Sequence, residues 1–140
     1  MIGDGKNFVR TMQSLAERGV DPSVVDDQFG RLTFTSELAR AIRHLTSTRA
    51  PFGVYNVTGE GATMSWADVA RRVFDVSGHD PGRVTSVSTE TYFASSAKVV
   101  APRPRNSVLS NAKIIATGFT PAGVEESLVR YCGRSQSGVV

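Results

Sequence analysis

Val24-Val25-Asp26-Asp27-Gln28-Phe29-Gly30-Arg31-Leu32-Thr33-Phe34-Thr35 is the stretch on which the reading of the chain turns. The valines open a short apolar strand over Ser23 to Asp27. Gly30 offers a turn with φ > 0, and a Thr/Ser-rich helix start follows with Glu37 close behind. Two acids and an amide stand at the strand's carboxyl end, where α/β proteins commonly meet ligands beside helix N-termini. Loop polarity alone mostly reports solvation, so the same residues also read as a strand-turn-helix connection with surface acids.

On the N-terminal side, Met1 to Lys6 is a glycine-rich polar loop, of the kind a strand would ordinarily precede. Phe8, Met12, Leu15 and Ala16 recur at helical spacing and Gly19 is a stop, which predicts a helix from about Lys6 to Arg18. On the C-terminal side, Thr35 or Ser36 is expected to cap a helix with Leu38, Ala41, Ile42 and Leu45 on its apolar face. His44 reads as a solvated helix-end residue, because no partner acid or metal ligand is evident.

Gly53-Val54-Tyr55-Asn56-Val57-Thr58 alternates as a strand, and Gly59-Glu60-Gly61 turns. Ser65 caps a helix whose face is Trp66, Val69, Ala70, Val73 and Phe74, with Gly78 ending it; Trp66 reads as a core anchor. Val84 to Val87 predicts another strand, and Thr89 to Ala101 reads as irregular. Pro102 and Pro104 keep the chain around Arg103 extended. A short helix starts at Ser110 and ends at Gly118. A last helix opens at Pro121 with Val124, Leu128 and Cys132 on one side. The fold class is α/β, with short strands alternating with about four or five helices. Residues 1–134 are expected to form one domain and 135–140 a loose tail.

Composition narrows the function classes. At 140 residues, the chain suits one domain or a piece of a larger one. Lys+Arg 16 against Asp+Glu 13 leaves a formal charge of only +3, and no basic run is interleaved with aromatics, so no nucleic-acid face is expected. The single cysteine, Cys132, cannot form an internal disulfide or make a zinc site by itself. No apolar run reaches transmembrane length and no signal core is present, so a cytoplasmic chain without a membrane partner is expected. Asn56-Val57-Thr58 matches a glycosylation acceptor, but without a secretion signal it is set aside.

Catalytic motifs are missing from the sequence. Gly59-Glu60-Gly61-Ala62-Thr63 lacks the third glycine of a dinucleotide loop and the acid about 20 residues on. No Gly-x-Ser-x-Gly, phosphate-binding Gly-Lys-Ser/Thr loop or metal-spaced histidine cluster occurs. Tyr55, Tyr92 and Tyr131 all lack a lysine four residues later. What remains is binding chemistry. Arg103 and Arg105 offer forked donors to a phosphate. Asn7 at a helix start suits an anion or sugar hydroxyl, and Gln28, which both donates and accepts, suits a sugar or base edge. Each also reads as solvation or capping.

Five stretches, taken in order, resemble one family: Gly5-Lys6-Asn7-Phe8-Val9-Arg10-Thr11-Met12, Val25-Asp26-Asp27-Gln28-Phe29-Gly30, Gly53-Val54-Tyr55-Asn56-Val57-Thr58-Gly59, Ser65-Trp66, and Arg103-Pro104-Arg105-Asn106-Ser107-Val108-Leu109. They look like the C-terminal half of dTDP-4-dehydrorhamnose reductase, an extended short-chain dehydrogenase/reductase. The resemblance runs from about Gly3 to about Tyr131. It implies NADPH-dependent reduction of dTDP-4-dehydro-L-rhamnose to dTDP-L-rhamnose. It further implies that the cofactor loop and the Tyr-x-x-x-Lys belong to an N-terminal Rossmann half absent here, so that this chain alone is inactive and binds no cofactor. The substrate-binding residues implied are Asn7, Phe8, Gln28, Arg103 and Ser107, with a dTDP-sugar as ligand. Partners implied are the missing half or a fused epimerase domain. Leu32 departs from the family's usual proline, which loosens the turn after Gly30, and Met64 stands where a shorter loop is common.

Two other readings compete. A non-catalytic regulatory relative, such as the regulatory subunit of methionine adenosyltransferase, shares the broader fold family and acts by binding an enzyme. A different sugar-nucleotide epimerase or dehydratase is the other; the Asp-Gln-Phe-Gly stretch favours the reductase. Apolar surface left uncovered by a missing half predicts homodimerisation or marginal stability.

Overall fold

The computed structural model describes residues 1–94 and 101–136. Asn7 starts α1 (Phe8–Glu17) by accepting the Arg10 N–H on Oδ1 at 3.1 Å. The helix buries Val9, Met12 and Ala16 against α3 (Trp66–Val76). Ser65 and Asp68 close a reciprocal capping box on α3, which buries Val69, Ala70, Val73 and Phe74. Gly19 and Gly78 both take positive φ (72° and 79°) just past these helices, ending them as expected.

Between the helices lies β1 (Ser23–Val25), paired in parallel with β4 (Thr85–Val87) in the register Val24 to Ser86. A 3-10 turn over Pro81–Arg83 leads into β4. From it Arg83 reaches back to Asp21 at 2.6 Å and to the carbonyls of Ala16 (3.2 Å) and Val20 (3.1 Å), a cation placed at the C-terminus of α1. The main core joins α1, β1 and α3 to Leu128 and Cys132 of α6 (Val124–Gln136). α6 runs past the domain boundary expected at residue 134; residues 137–140 of the expected tail lie outside the described residues.

The turn of the opening stretch differs from expectation. Gly30 is not at positive φ; it lies within β2 (Phe29–Gly30), antiparallel to β3 (Met64–Ser65). The chain bends before it, between β1 and β2. Gly30 is needed for close approach instead, since a Cβ there would lie 2.7 Å from the Ser107 Oγ. On its other edge Phe29 donates its N–H to Arg105 O (2.8 Å) and accepts from Ser107 N (2.9 Å), so the proline-stiffened segment lies alongside β2. Leu32 stands where the family's proline is usual. It is buried in the main core and its carbonyl accepts from Gly59 N at 3.2 Å.

Other expectations are corrected by tertiary contacts. Ile2 lies in the expected polar loop yet is 3% exposed, bridging Phe34 in parallel. Its carbonyl takes the Thr35 N–H at 2.8 Å, so α2 (Thr35–Ser47) starts on a backbone partner rather than on a Thr or Ser side chain. Ile42, expected on the apolar face of α2, is 64% exposed. His44 is half-buried rather than solvated, its ring tilted at 51° and 5.4 Å from that of Phe119, with Nε2 at 3.0 Å from the Thr117 hydroxyl.

The alternating segment 53–58 is extended but pairs with no strand; Val54 points to solvent while Tyr55 and Val57 pack on Ala41, Ile114 and Phe119. Thr89–Phe93, read as irregular, is a helix, α4, capped by the Ser88 hydroxyl on Thr91 N. With α5 (Ala112–Ile115) the described residues hold six helices, one more than the upper expectation. Pro121 precedes α6 rather than lying in its first turn.

Candidate functional site

A cleft of about 310 Å³ opens at the carboxyl end of β1. Met12, Ser23, Val24 and Val25 form its floor, with Phe8, Gln28, Trp66, Tyr92, Phe93 and Arg103 around it. Each side chain arrives by a local rule. Phe8 is the first residue of α1 and Trp66 the first of α3, each fixed by its cap. The two rings stand 4.8 Å apart at 60°. Trp66 is therefore not the core anchor its position suggested: at 38% exposure it forms a wall of the cleft. Tyr92 and Phe93 come from α4, in an edge-to-face pair 5.0 Å apart.

Gln28 is 8% exposed at the cleft's polar end. Its Nε2 donates to the Thr89 hydroxyl at 2.9 Å, which donates in turn to Asp27 Oδ1 at 2.5 Å. Thr89 N adds a second bond to the same oxygen at 3.1 Å. The Thr89 hydroxyl, more than the distant Arg105 charge, holds the Asp27 carboxyl below its ordinary value of 3.8. The sequence offered no signal for Thr89, because its partners lie 61 and 62 residues away.

Of the five residues implied by resemblance, Phe8, Gln28 and Arg103 line the cleft; Asn7 and Ser107 do not. The Asn7 side chain is engaged within the chain. Besides capping α1, its Nδ2 lies 2.8 Å from Gly3 O, 2.9 Å from Gly5 O and 2.8 Å from the Tyr131 hydroxyl. Ser107 donates its hydroxyl to Phe29 O at 3.0 Å and lines a smaller hollow of about 50 Å³ beside Gly30 and Trp66. Arg103 is exposed.

The glycine-rich stretch at 59–61 does not fit a dinucleotide. No strand precedes it, and Gly59 is buried where a Cβ would meet Leu32 O at 2.8 Å and Val124 Cγ2 at 2.6 Å. Cys132 is 1% exposed, and burial pushes its thiol up to about 11, which makes it an inert core residue. Among the described residues no helix is long and apolar enough to cross a membrane, and no three metal-ligating side chains cluster.

An α/β unit with an aromatic cleft at a strand's carboxyl end, an amide at its polar end and an arginine at its rim defines the class: a small-ligand-binding domain. The family model described as RmlD substrate binding domain matches residues 2–136, and the chain belongs to that family. It is 39% identical over 127 residues to the spore coat polysaccharide biosynthesis protein SpsK of Bacillus subtilis, covering 91% of this chain and 42% of that one. It is 36% identical over 140 residues to a dTDP-4-dehydrorhamnose reductase of Streptomyces griseus, covering 94% and 44% respectively. The crystal structure of dTDP-4-dehydrorhamnose reductase from Bacillus anthracis in complex with NADP superposes with a TM-score of 0.80 at 29% identity, over 96% of this chain and 45% of that one. The chain thus spans less than half the length of the relatives it matches.

Proposed function

We propose that this chain is the substrate-binding part of an NADPH-dependent reductase that converts dTDP-4-dehydro-L-rhamnose to dTDP-L-rhamnose. The observation that carries this is the convergence of Phe8, Gln28 and Arg103, from three separate stretches of sequence, on one cleft with Trp66. A base lies against the Phe8–Trp66 wall, Gln28 meets its polar edge, and the Arg103 guanidinium pairs with the diphosphate. Asn7 and Ser107 serve this site at one remove: Asn7 fixes the start of α1 that carries Phe8, and Ser107 holds β2 next to Gln28. NADPH and the proton-transferring groups come from a second half, since the sequence holds no Tyr-x-x-x-Lys and its Gly59–Gly61 stretch does not fit a dinucleotide. A cytoplasmic location goes with this reading.

The experiment has two arms. Titration with dTDP-L-rhamnose and dTDP is followed by the fluorescence of Trp66, the chain's single tryptophan. A saturable change is expected; Trp66→Leu, which removes that signal and is therefore titrated by calorimetry, is expected to bind roughly tenfold more weakly. The chain is then mixed with a separately made N-terminal half of a relative and NADPH oxidation is assayed. Absence of both binding and restored turnover would refute the proposal. Self-association is a further proposal, resting on the exposed Phe52 and Val54 side chains; sedimentation equilibrium showing a monomer of high cooperative stability would refute it.

A further inference from the structure

Residues 53–58 form an extended segment with two unlike edges. Along such a segment the N–H and C=O of every second residue point the same way. The edge of Val54 and Thr58 is covered by α5 and the residue before it. Lys113 Nζ donates to Val54 O at 2.7 Å, and Asn111 takes both backbone groups of Thr58, at 3.0 Å and 2.9 Å. The opposite edge belongs to Tyr55, Val57 and Gly59. Gly59 N donates to Leu32 O at 3.2 Å, so one end of this edge already pairs with neighbouring chain. Further along it, the N–H and C=O of Tyr55 and of Val57 have no partner among the described residues. One face of the segment packs, through Tyr55 and Val57, on Ala41, Ile114 and Phe119. The other face is bare: Val54 is 83% exposed, and Phe52 just before it is fully exposed.

We infer that the Tyr55–Val57 edge is where the N-terminal half docks, by laying a strand of its own beside residues 53–57. This rests on the two-part reading proposed above. An extended segment with one face packed and one edge open is what a sheet leaves behind when its neighbouring strand lies elsewhere. The relatives have the chain to supply that strand, since this one covers only 42% and 44% of the two described above. The added strand gives the orphaned N–H and C=O groups their partners, and the body that carries it covers Val54 and Phe52. A second copy of this chain fits the edge less well. Pairing about a two-fold axis through Asn56 sets Tyr55 opposite Val57 and Gly53 opposite Gly59, where the chain at Leu32 already lies.

The test is amide hydrogen exchange of the whole chain, alone and mixed with a separately made N-terminal half of a relative, with NADPH oxidation assayed in parallel. The Thr58 amide, held by Asn111, is the internal reference. In the chain alone, the Tyr55 and Val57 amides are expected to exchange roughly tenfold or more faster than that of Thr58. In the mixture both are expected to slow about a hundredfold or more. Such slowing carries the inference whether or not turnover returns. Restored turnover with both amides still fast overturns it and leaves the two-part reading standing. Amides already slow in the dilute chain also overturn it, because the edge is then not open. So does protection that rises with the chain's own concentration and not with the added half, which assigns the edge to a second copy. Failure of the halves to form any complex overturns the two-part reading and this inference together. No substitution is involved, so no folding defect can imitate a result.

Discussion

Asn111 pairs with the backbone of Thr58 as a neighbouring strand would. Its Oδ1 accepts the Thr58 N–H at 3.0 Å and its Nδ2 donates to the Thr58 carbonyl at 2.9 Å. The same nitrogen reaches Glu60 Oε1 at 2.8 Å, and Asn111 is 3% exposed. One side chain thus satisfies both backbone groups of the buried Thr58, which pairs with no strand among the described residues.

Asn111→Ala is expected to cost about 2–3 kcal/mol, because it orphans a buried N–H and a buried carbonyl together. Asn111→Asp is expected to be as damaging at neutral pH, since its second oxygen would face the Thr58 carbonyl, and to recover partly in acid, where a protonated oxygen can donate. Urea unfolding of both variants at pH 7 and pH 4.5 measures this.

Gly59 and Gly30 both sit under close neighbours, but of different kinds. A Cβ on Gly59 meets the Leu32 carbonyl, which is backbone and cannot move aside, so Gly59→Ala is expected to cost about 1–3 kcal/mol. A Cβ on Gly30 meets only the Ser107 hydroxyl, which can rotate away at the loss of its bond to Phe29 O. Gly30→Ala is expected to cost about 1 kcal/mol, and combining it with Ser107→Ala should add little. Additive losses in that pair would contradict the assignment.

Stability should decline in acid. Asp27 and Asp68 are held below the ordinary carboxylate value of 3.8, chiefly by the hydroxyls of Thr89 and Ser65. A depressed folded value means that the unfolded chain binds more protons in the window between the two values. The contribution is therefore complete above pH 3.8 and is lost as pH falls through the folded values. Urea midpoints measured from pH 5 to pH 2 should fall, with a shallower slope in Thr89→Val and Ser65→Ala.

Cys132 should resist thiol reagents in the native protein. Its side chain lies in the core with Leu128 and Phe74, and little thiolate forms at pH 8 from a thiol pushed up to about 11. A disulfide-exchange reagent is expected to label it only as fast as the chain opens, with labelling rising steeply across the urea transition. Rapid labelling in buffer would show the α3–α6 packing to be loose.

Much of the fold was legible because its signals are local. The apolar spacing of α1 and α3, the Ser65–Asp68 box and the glycines after both helices act within one or two turns, so their residues announce them. The same holds for β1 and β4, although nothing local says that they pair in parallel. The family was legible because Asp27-Gln28-Phe29-Gly30 and the Arg103–Leu109 stretch are specific as strings.

What only the tertiary structure decided is who satisfies whom. Gly30 looked like a turn residue and proved to be a gap for Ser107. Residues 53–58 looked like a strand and proved to lean on Asn111, 53 residues from Thr58. Thr35 and Ser36 looked like caps until Ile2 supplied the carbonyl. Trp66, apolar and at a core spacing, came to rest at the cleft because it opens α3 where the strand ends meet. In each case the deciding partner is distant in sequence. A hydrogen bond or a steric contact between such residues leaves no periodicity for local reading to find. Sequence by itself determined the helices other than α4, the class and the family; the packed chain determined that Phe8, Gln28 and Arg103 share a cleft, and that Thr89 stands behind the amide there.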